Sequence, residues 1–255
     1  MINLIRAEIF KLTSNKTFWV LTISIVVLSS LLHFLVITNW WMMTGTPFEL
    51  IGLSKWNGLS PFITPLFFNV IISTLAAFYI STEFSKSGVM KNQVMTGHKR
   101  SHIFIAKYLI YSIGSIITTI LIPLLTAMIM VFLLENGEIF NQENISYIAR
   151  AFSLFSLHFV CFTAIVFIIT ILTEDSGKTI LFTLLVAILM FIVEKFITSD
   201  VVKQLYEYTF FHQFTNVFNP FISSGDIVKS LVIGAVSLIM IISFGIIAFN
   251  RKEIK

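Results

Sequence analysis

The chain reads as an all-α membrane protein with six transmembrane helices, and three observations carry that reading. Of its 255 residues 56% are hydrophobic and only 12% charged, and its mean hydropathy of +0.92 lies far outside the range of a soluble domain. Apolar stretches long enough to cross about 30 Å of hydrocarbon recur six times along it. The basic residues gather on one side of those stretches, as they do in proteins oriented by the positive-inside rule. Six spans of roughly 20 residues and short connections use up the length, so residues 1–255 are expected to form a single transmembrane domain.

Residues 1–16 come first, with Ile2, Ile5, Ile9 and Leu12 on one helical stripe and Asn3, Arg6 and Lys11 largely on other faces. That pattern predicts a helix lying in the membrane interface, its basic side chains among lipid head groups. The spans follow at about residues 18–38, 62–81, 103–134, 148–172, 179–196 and 227–249. The first is longer than a signal-peptide core and has no small-x-small cleavage site after it, so it is read as a retained span. The third exceeds what a bilayer needs and carries Pro123, a site for a kink. Between the fifth and sixth spans, residues 201–221 mix Leu205, Tyr206, Phe210, Phe211, Phe214 and Phe218 with polar residues before Asn219-Pro220, which predicts short interfacial or re-entrant helices ending in a turn. Most of the 27 phenylalanines are expected to face lipid.

An even number of spans puts both termini on one side. That side holds twelve of the seventeen Lys and Arg residues, against Lys55, Arg150, Lys195, Lys203 and Lys229 on the other, so the termini are expected in the cytoplasm. The formal charge of +4 follows the membrane in this way and not a soluble basic face, which argues against nucleic acid as a partner. The single Cys161 cannot form an intrachain disulfide and sits in an apolar run, as a small buried hydrophobe does.

Chemistry for an enzyme is not visible. Ser176-Gly177-Lys178-Thr179 looks like the tail of a phosphate-binding loop, but the motif needs a glycine where this chain has Leu172, and a strand where it has an apolar helix. His98 and His102 stand four apart, but Lys99 follows the first where a zinc protease has Glu, and the cations between them disfavour a metal. His33 and His158 lie within spans, where an ionisable side chain faces a bundle interior; a neutral imidazole bonded between helices is favoured over a proton relay.

The most informative segment is the polar island between the second and third spans. Glu83 and Phe84 close one span, Gly88 and Gly97 bracket two helical turns from Val89 through Met90, Lys91, Asn92 and Val94 to Thr96, and Arg100 and Lys107 open the next span. This order, with a basic amphipathic amino terminus, six spans and a bulky segment before the last of them, resembles the permease subunits of ABC-2 type transporters over most of the chain. The loop lacks the Thr after Gly88 and the Pro near Gly97 that are common in that family.

The resemblance implies a half-transporter of the type V exporter kind, paired as a homodimer or heterodimer with a similar permease. It implies that residues 89–96 are a cytoplasmic coupling helix docking on a separate ABC ATPase subunit, which would bind ATP and Mg, with no cofactor in this chain. Met90 and Val94 would be apolar contacts one turn apart, and Glu83 the acidic residue closing the second span. Permeases of this size look like bacterial plasma-membrane exporters of amphipathic peptides, including lantibiotic-immunity permeases and phenol-soluble modulin exporters. The competing readings are an ABC-2 permease for sodium or a drug, an ion-coupled secondary transporter using His33 or His158, and a non-transporting membrane anchor or sensor.

Overall fold

The computed structural model describes residues 1–85, 88–135, 141–196 and 199–253, and every regular element among them is helical. Helix α1 (Ile2–Thr13) is followed by six helices long and apolar enough to cross a membrane: α2 (Lys16–Ile37), α3 (Pro65–Phe84), α5 (Arg100–Leu134), α6 (Gln142–Thr173), α7 (Ser176–Phe196) and α10 (Ser224–Arg251). Short helices lie between them: α4 (Val89–Met95) between α3 and α5, α8 (Asp200–Glu207) and α9 (Phe210–Asn216) between α7 and α10, and, between α2 and α3, two 3-10 turns at Glu49–Ile51 and Ser54–Leu59 and a single α-turn at Ser60–Ile63. The predicted spans are therefore all present, most of them extended by a few residues at one end or both. The short helices predicted for the 201–221 segment are α8 and α9.

Local chemistry sets several boundaries. The side chain of Asn15 accepts from the backbone N–H of Phe18 and starts α2, Asn141 does the same for Asn144 in α6, and Ser223 accepts from Asp226 N–H while donating to its carboxylate at the head of α10. Pro65 occupies the first turn of α3, where a missing N–H costs nothing. In α5 the irregularity expected at Pro123 takes the form of a π turn over Ile117–Leu121, immediately before it. A proline cannot donate to the preceding turn and its ring crowds the carbonyl there, and a wider turn relieves both. A second π turn, Ala77–Ser81, lies in α3.

Helix α6 is the axis of the bundle. It is buried along most of its length and packs against α10, α7, α5 and α3, while α2 lies along the second half of α5 and α1 along the first half. Where α10 crosses α6 and α5 it presents Gly234 and Gly245; a Cβ there would come within 2.6 Å of Leu157 and 2.5 Å of Phe104. Close approach of this kind is how helices associate without a hydrophobic driving force between them.

Most phenylalanines turn inward, contrary to the expectation that they face lipid. Phe68 of α3 sits within 5.2–6.0 Å of Phe155, Phe159, Phe162 and Phe214, largely edge to face, and Phe218 meets Phe48, Phe152 and Phe155. Such pairs prefer tilted contacts and add to simple burial. The result is an aromatic core that ties the far end of α6 to α9. Tyr147 donates to Phe218 O and Arg150 to Asn219 O, pinning the Asn219-Pro220 turn to α6.

Candidate functional site

Helix α1 and the end of α10 lie at one end of the bundle, called here the terminal end, together with α4 and the α6–α7 turn. Helix α4 is set off by two glycines in the left-handed region, Gly88 at φ +58° before it and Gly97 at φ +84° after it. A side chain would be strained at either place, and Gly97 N–H closes the helix by donating to Val94 O. The segment predicted as 89–96 is thus a real, separately capped helix of two turns.

Just beneath α4 is a cluster of four charges, two of them from the ends of α3 and α5 and two from α1, of which Glu8 was not singled out in the sequence. Glu8 of α1, Glu83 of α3 and Lys107 of α5 are 2%, 3% and 1% exposed. The Lys107 ammonium pairs with both carboxylates, and Lys11 pairs with Glu83 and lies 3.4 Å from Glu8. Tyr79 donates to a Glu8 carboxylate oxygen at 2.9 Å and to its backbone carbonyl at 3.0 Å, while Gln93 of α4 reaches the other Glu8 oxygen at 3.5 Å. The Lys11 ammonium also lies 3.9 Å from the Tyr79 ring centroid. Two carboxylates and two ammoniums make the cluster neutral, which is the condition for burying charge at all.

Burial pushes the Glu8 carboxyl up, but Lys107 and Lys11 outweigh it and hold it below its ordinary 4.5. Burial and the neighbouring Lys107 charge pull the Lys11 ammonium down to about 7 against the opposing pull of Glu8.

The cluster changes where several predicted residues belong. Glu83 and Lys107 are internal, joining α3 and α5 to α1. Lys11 turns toward the bundle, where it was expected on the polar face of α1. The bundle-facing stripe of α1 is Leu4, Glu8 and Leu12, while Ile2, Ile9 and Phe10 remain exposed on other faces. Met90 was expected as an outward contact of α4, but at 1% exposed it belongs to the core of its own chain, and Val94 is half-buried beside it. With three to four residues per turn, the exposed side of α4 is Lys91, Asn92 and Met95, the last 68% exposed.

The second flank of α4 is fixed differently. Arg100 donates to the carbonyls of Asn250 at 3.0 Å and Lys252 at 2.6 Å, where α10 ends. Lys252 in turn donates to Ile171 O at 2.6 Å and Leu172 O at 3.3 Å, where α6 ends, and pairs with Glu174 at 3.1 Å. Cations at helix C-termini satisfy carbonyls that the helix leaves open. The Lys252 ammonium also lies 5.8 Å from the ring of Phe84. Ser176, opening α7, lies 2.8 Å from both Ala77 O in the π turn of α3 and the Ser81 hydroxyl. These long-range roles of Glu8, Lys252 and Ser176 were not legible in the sequence, because the partners that define them lie more than seventy residues away.

The intramembrane histidines hold separate places. His33 Nδ1 bonds Ser29 O within α2 at 2.7 Å, its ring packed flat on Gly58, while His158 Nε2 meets Ser230 Oγ of α10 at 2.8 Å. Only His158 bridges helices. Among the described residues no three His, Cys, Asp or Glu side chains gather as a metal site. Asn69, wholly buried in α3, finds no hydrogen-bond partner for either amide atom among the described residues.

At the far end a half-open cavity of about 680 Å³ lies between the outer ends of α3 and α7 and helix α9. Leu66, Met190, Phe191, Phe211 and Phe214 form its apolar walls, and Thr64, Glu194, His212 and Asn216 stand among its polar lining residues. Compared with models of known protein families and with curated proteins, the chain matches none.

Proposed function

We propose that this chain is the membrane subunit of an ATP-driven ABC-2 type exporter, pairing with a second permease subunit in a bacterial plasma membrane and moving amphipathic peptides outward. On this reading the terminal end faces the cytosol, and α4 is the coupling helix on which a separate ABC ATPase, carrying ATP and Mg, would press. Its role would extend to immunity against membrane-active peptides.

The observation that supports this most is the mounting of α4. A two-turn helix offering Lys91, Asn92 and Met95 is held at one flank by the Glu8, Lys11, Glu83 and Lys107 cluster and at the other by Arg100 on the end of α10. A solvent loop with no mechanical task needs neither anchor. Force applied to α4 has a stiff route into α1, α3, α5 and α10. The cargo reading draws support from the far-end cavity, whose apolar walls and polar lining suit a molecule with one apolar face; such a face left in water costs about 25 cal/mol per Å². Ion pathways need oxygen ligands or charged relays, and His33 and His158 are each engaged with a serine.

The test is co-purification. Membranes holding Met95→Asp with Lys91→Glu are expected to retain correctly inserted permease and lose the ATPase that accompanies the wild type. Retention of the ATPase by the inserted double variant contradicts the docking assignment.

A further inference from the structure

At the terminal end the contacts run in a closed circuit. Lys107 and Glu83 join α5 to α3, and Glu8 and Lys11 add α1. Arg100 joins α5 to the end of α10, and Lys252 joins α10 to the end of α6. The α6–α7 turn leads to Ser176, which returns to α3. Five of the six spans are thereby laced together, so any movement that parts these spans at that end has to open one of the joints.

The joints are not equal. In the four-charge cluster Glu8, Glu83 and Lys107 are nearly water-free while the Lys11 side chain is 28% exposed, so it is the parting of Lys107 from either carboxylate that leaves a charge without counterion or water. The Ser176 joint has no charge, but α6 and α7 are continuous through one short turn, which restricts how far it can part. At the Lys252 joint the lysine side chain is 16% and the Glu174 side chain 41% exposed, so water replaces each lost partner as the two separate. Both groups stand at helix ends, where the chain rotates most freely, and Glu174 already has a left-handed backbone at φ +53°.

We propose that Lys252 and Glu174 form the latch of the terminal end: the bundle opens there, between α10 and α6, while the Glu8, Lys11, Glu83 and Lys107 cluster stays closed and carries α1, α3, α4 and α5 as one body. This rests on the transport reading for its purpose and not for its geometry. Arg100 is then the link that delivers movement of α4 to α10, pulling the latch from one side. Lys252 is a positioning residue; it holds the two helix ends in register and touches no cargo.

The experiment uses the full chain in lipid nanodiscs with spin labels in pairs and needs neither cargo nor ATPase, so failure of the export reading leaves it unaffected. One pair, Leu172→Cys with Asn250→Cys, reports the latch; the other, Ala7→Cys with Asn92→Cys, reports the cluster, and all four positions are exposed. Buried Cys161 stays in place. In Lys252→Ala and Glu174→Ala the longer-distance population of the latch pair is expected to at least double, Lys252→Arg to restore the wild-type distribution, and the cluster pair to stay unchanged throughout. A latch pair with the same distribution in every variant overturns the proposal, as does separation of the cluster pair together with it.

Discussion

The two flanks of α4 solve the same problem with opposite economies. On the α3 side, Glu83 is held by Lys107, which has given up nearly all contact with water, and by the partly exposed Lys11; on the α5 side, Arg100 and Lys252 cap helix ends at the rim. Removing one member of a buried, compensated charge group costs about 3–5 kcal/mol because its partners are left unpaired. An exposed pair contributes about 0.2–1 kcal/mol and its partners are rehydrated when it breaks. The first kind of joint suits parts that must move together, and the second suits parts that must separate.

The largest effect should come from breaking the buried side. Lys107→Ala strands two carboxylates, and its melting temperature in detergent or nanodiscs should fall by the equivalent of about 3–5 kcal/mol. A change near that of a surface substitution would remove the difference between the flanks.

Acid probes the same cluster without a deletion. The folded-state carboxyl of Glu8 lies below its ordinary 4.5, so its stabilisation is full above that value and disappears as pH falls through the lowered one. Wild-type protein should therefore lose stability more steeply below 4.5 than Glu8→Gln does. Parallel acid limbs in thermal melts would mean that Glu8 gains nothing from its partners.

Asn69 sharpens the contrast, because it is buried like the cluster but has no partner among the described residues. An unpaired buried amide costs about 1–3 kcal/mol, so Asn69→Leu should raise the melting temperature where Lys107→Ala lowers it. Smallest of all, Lys252→Ala should cost about 1 kcal/mol or less, with its consequence seen in helix-end distances. A loss as large as that of Lys107→Ala would make the two flanks alike.

The sequence made one level of this visible and hid the next. Spans α2 to α10 were legible because each is a local run of apolar residues, and α4 because Gly88 and Gly97 punctuate it within a dozen positions. Helices α8 and α9 showed through aromatic residues at helical spacing between polar ones. Glu8 stayed hidden because a lone acid on an amphipathic helix reads as solvated, and its buried partners Tyr79 and Lys107 are 71 and 99 residues away. Met90 misled for a related reason: a methionine on a short loop helix has the same pattern whether it faces a partner or its own core. The phenylalanines could not be sorted into lipid-facing and core, since hydropathy is the same on both sides of a membrane helix.

The measurement that tests the account most directly is uptake of a fluorescent cationic amphipathic peptide into inside-out vesicles holding this chain and the ATPase that co-purifies with it, with a reversible disulfide between Leu172→Cys and Asn250→Cys. The account predicts uptake that requires ATP, stops when the disulfide closes the latch and resumes on reduction. Uptake that proceeds at the same rate with the disulfide closed, or peptide accumulation independent of ATP, would contradict it.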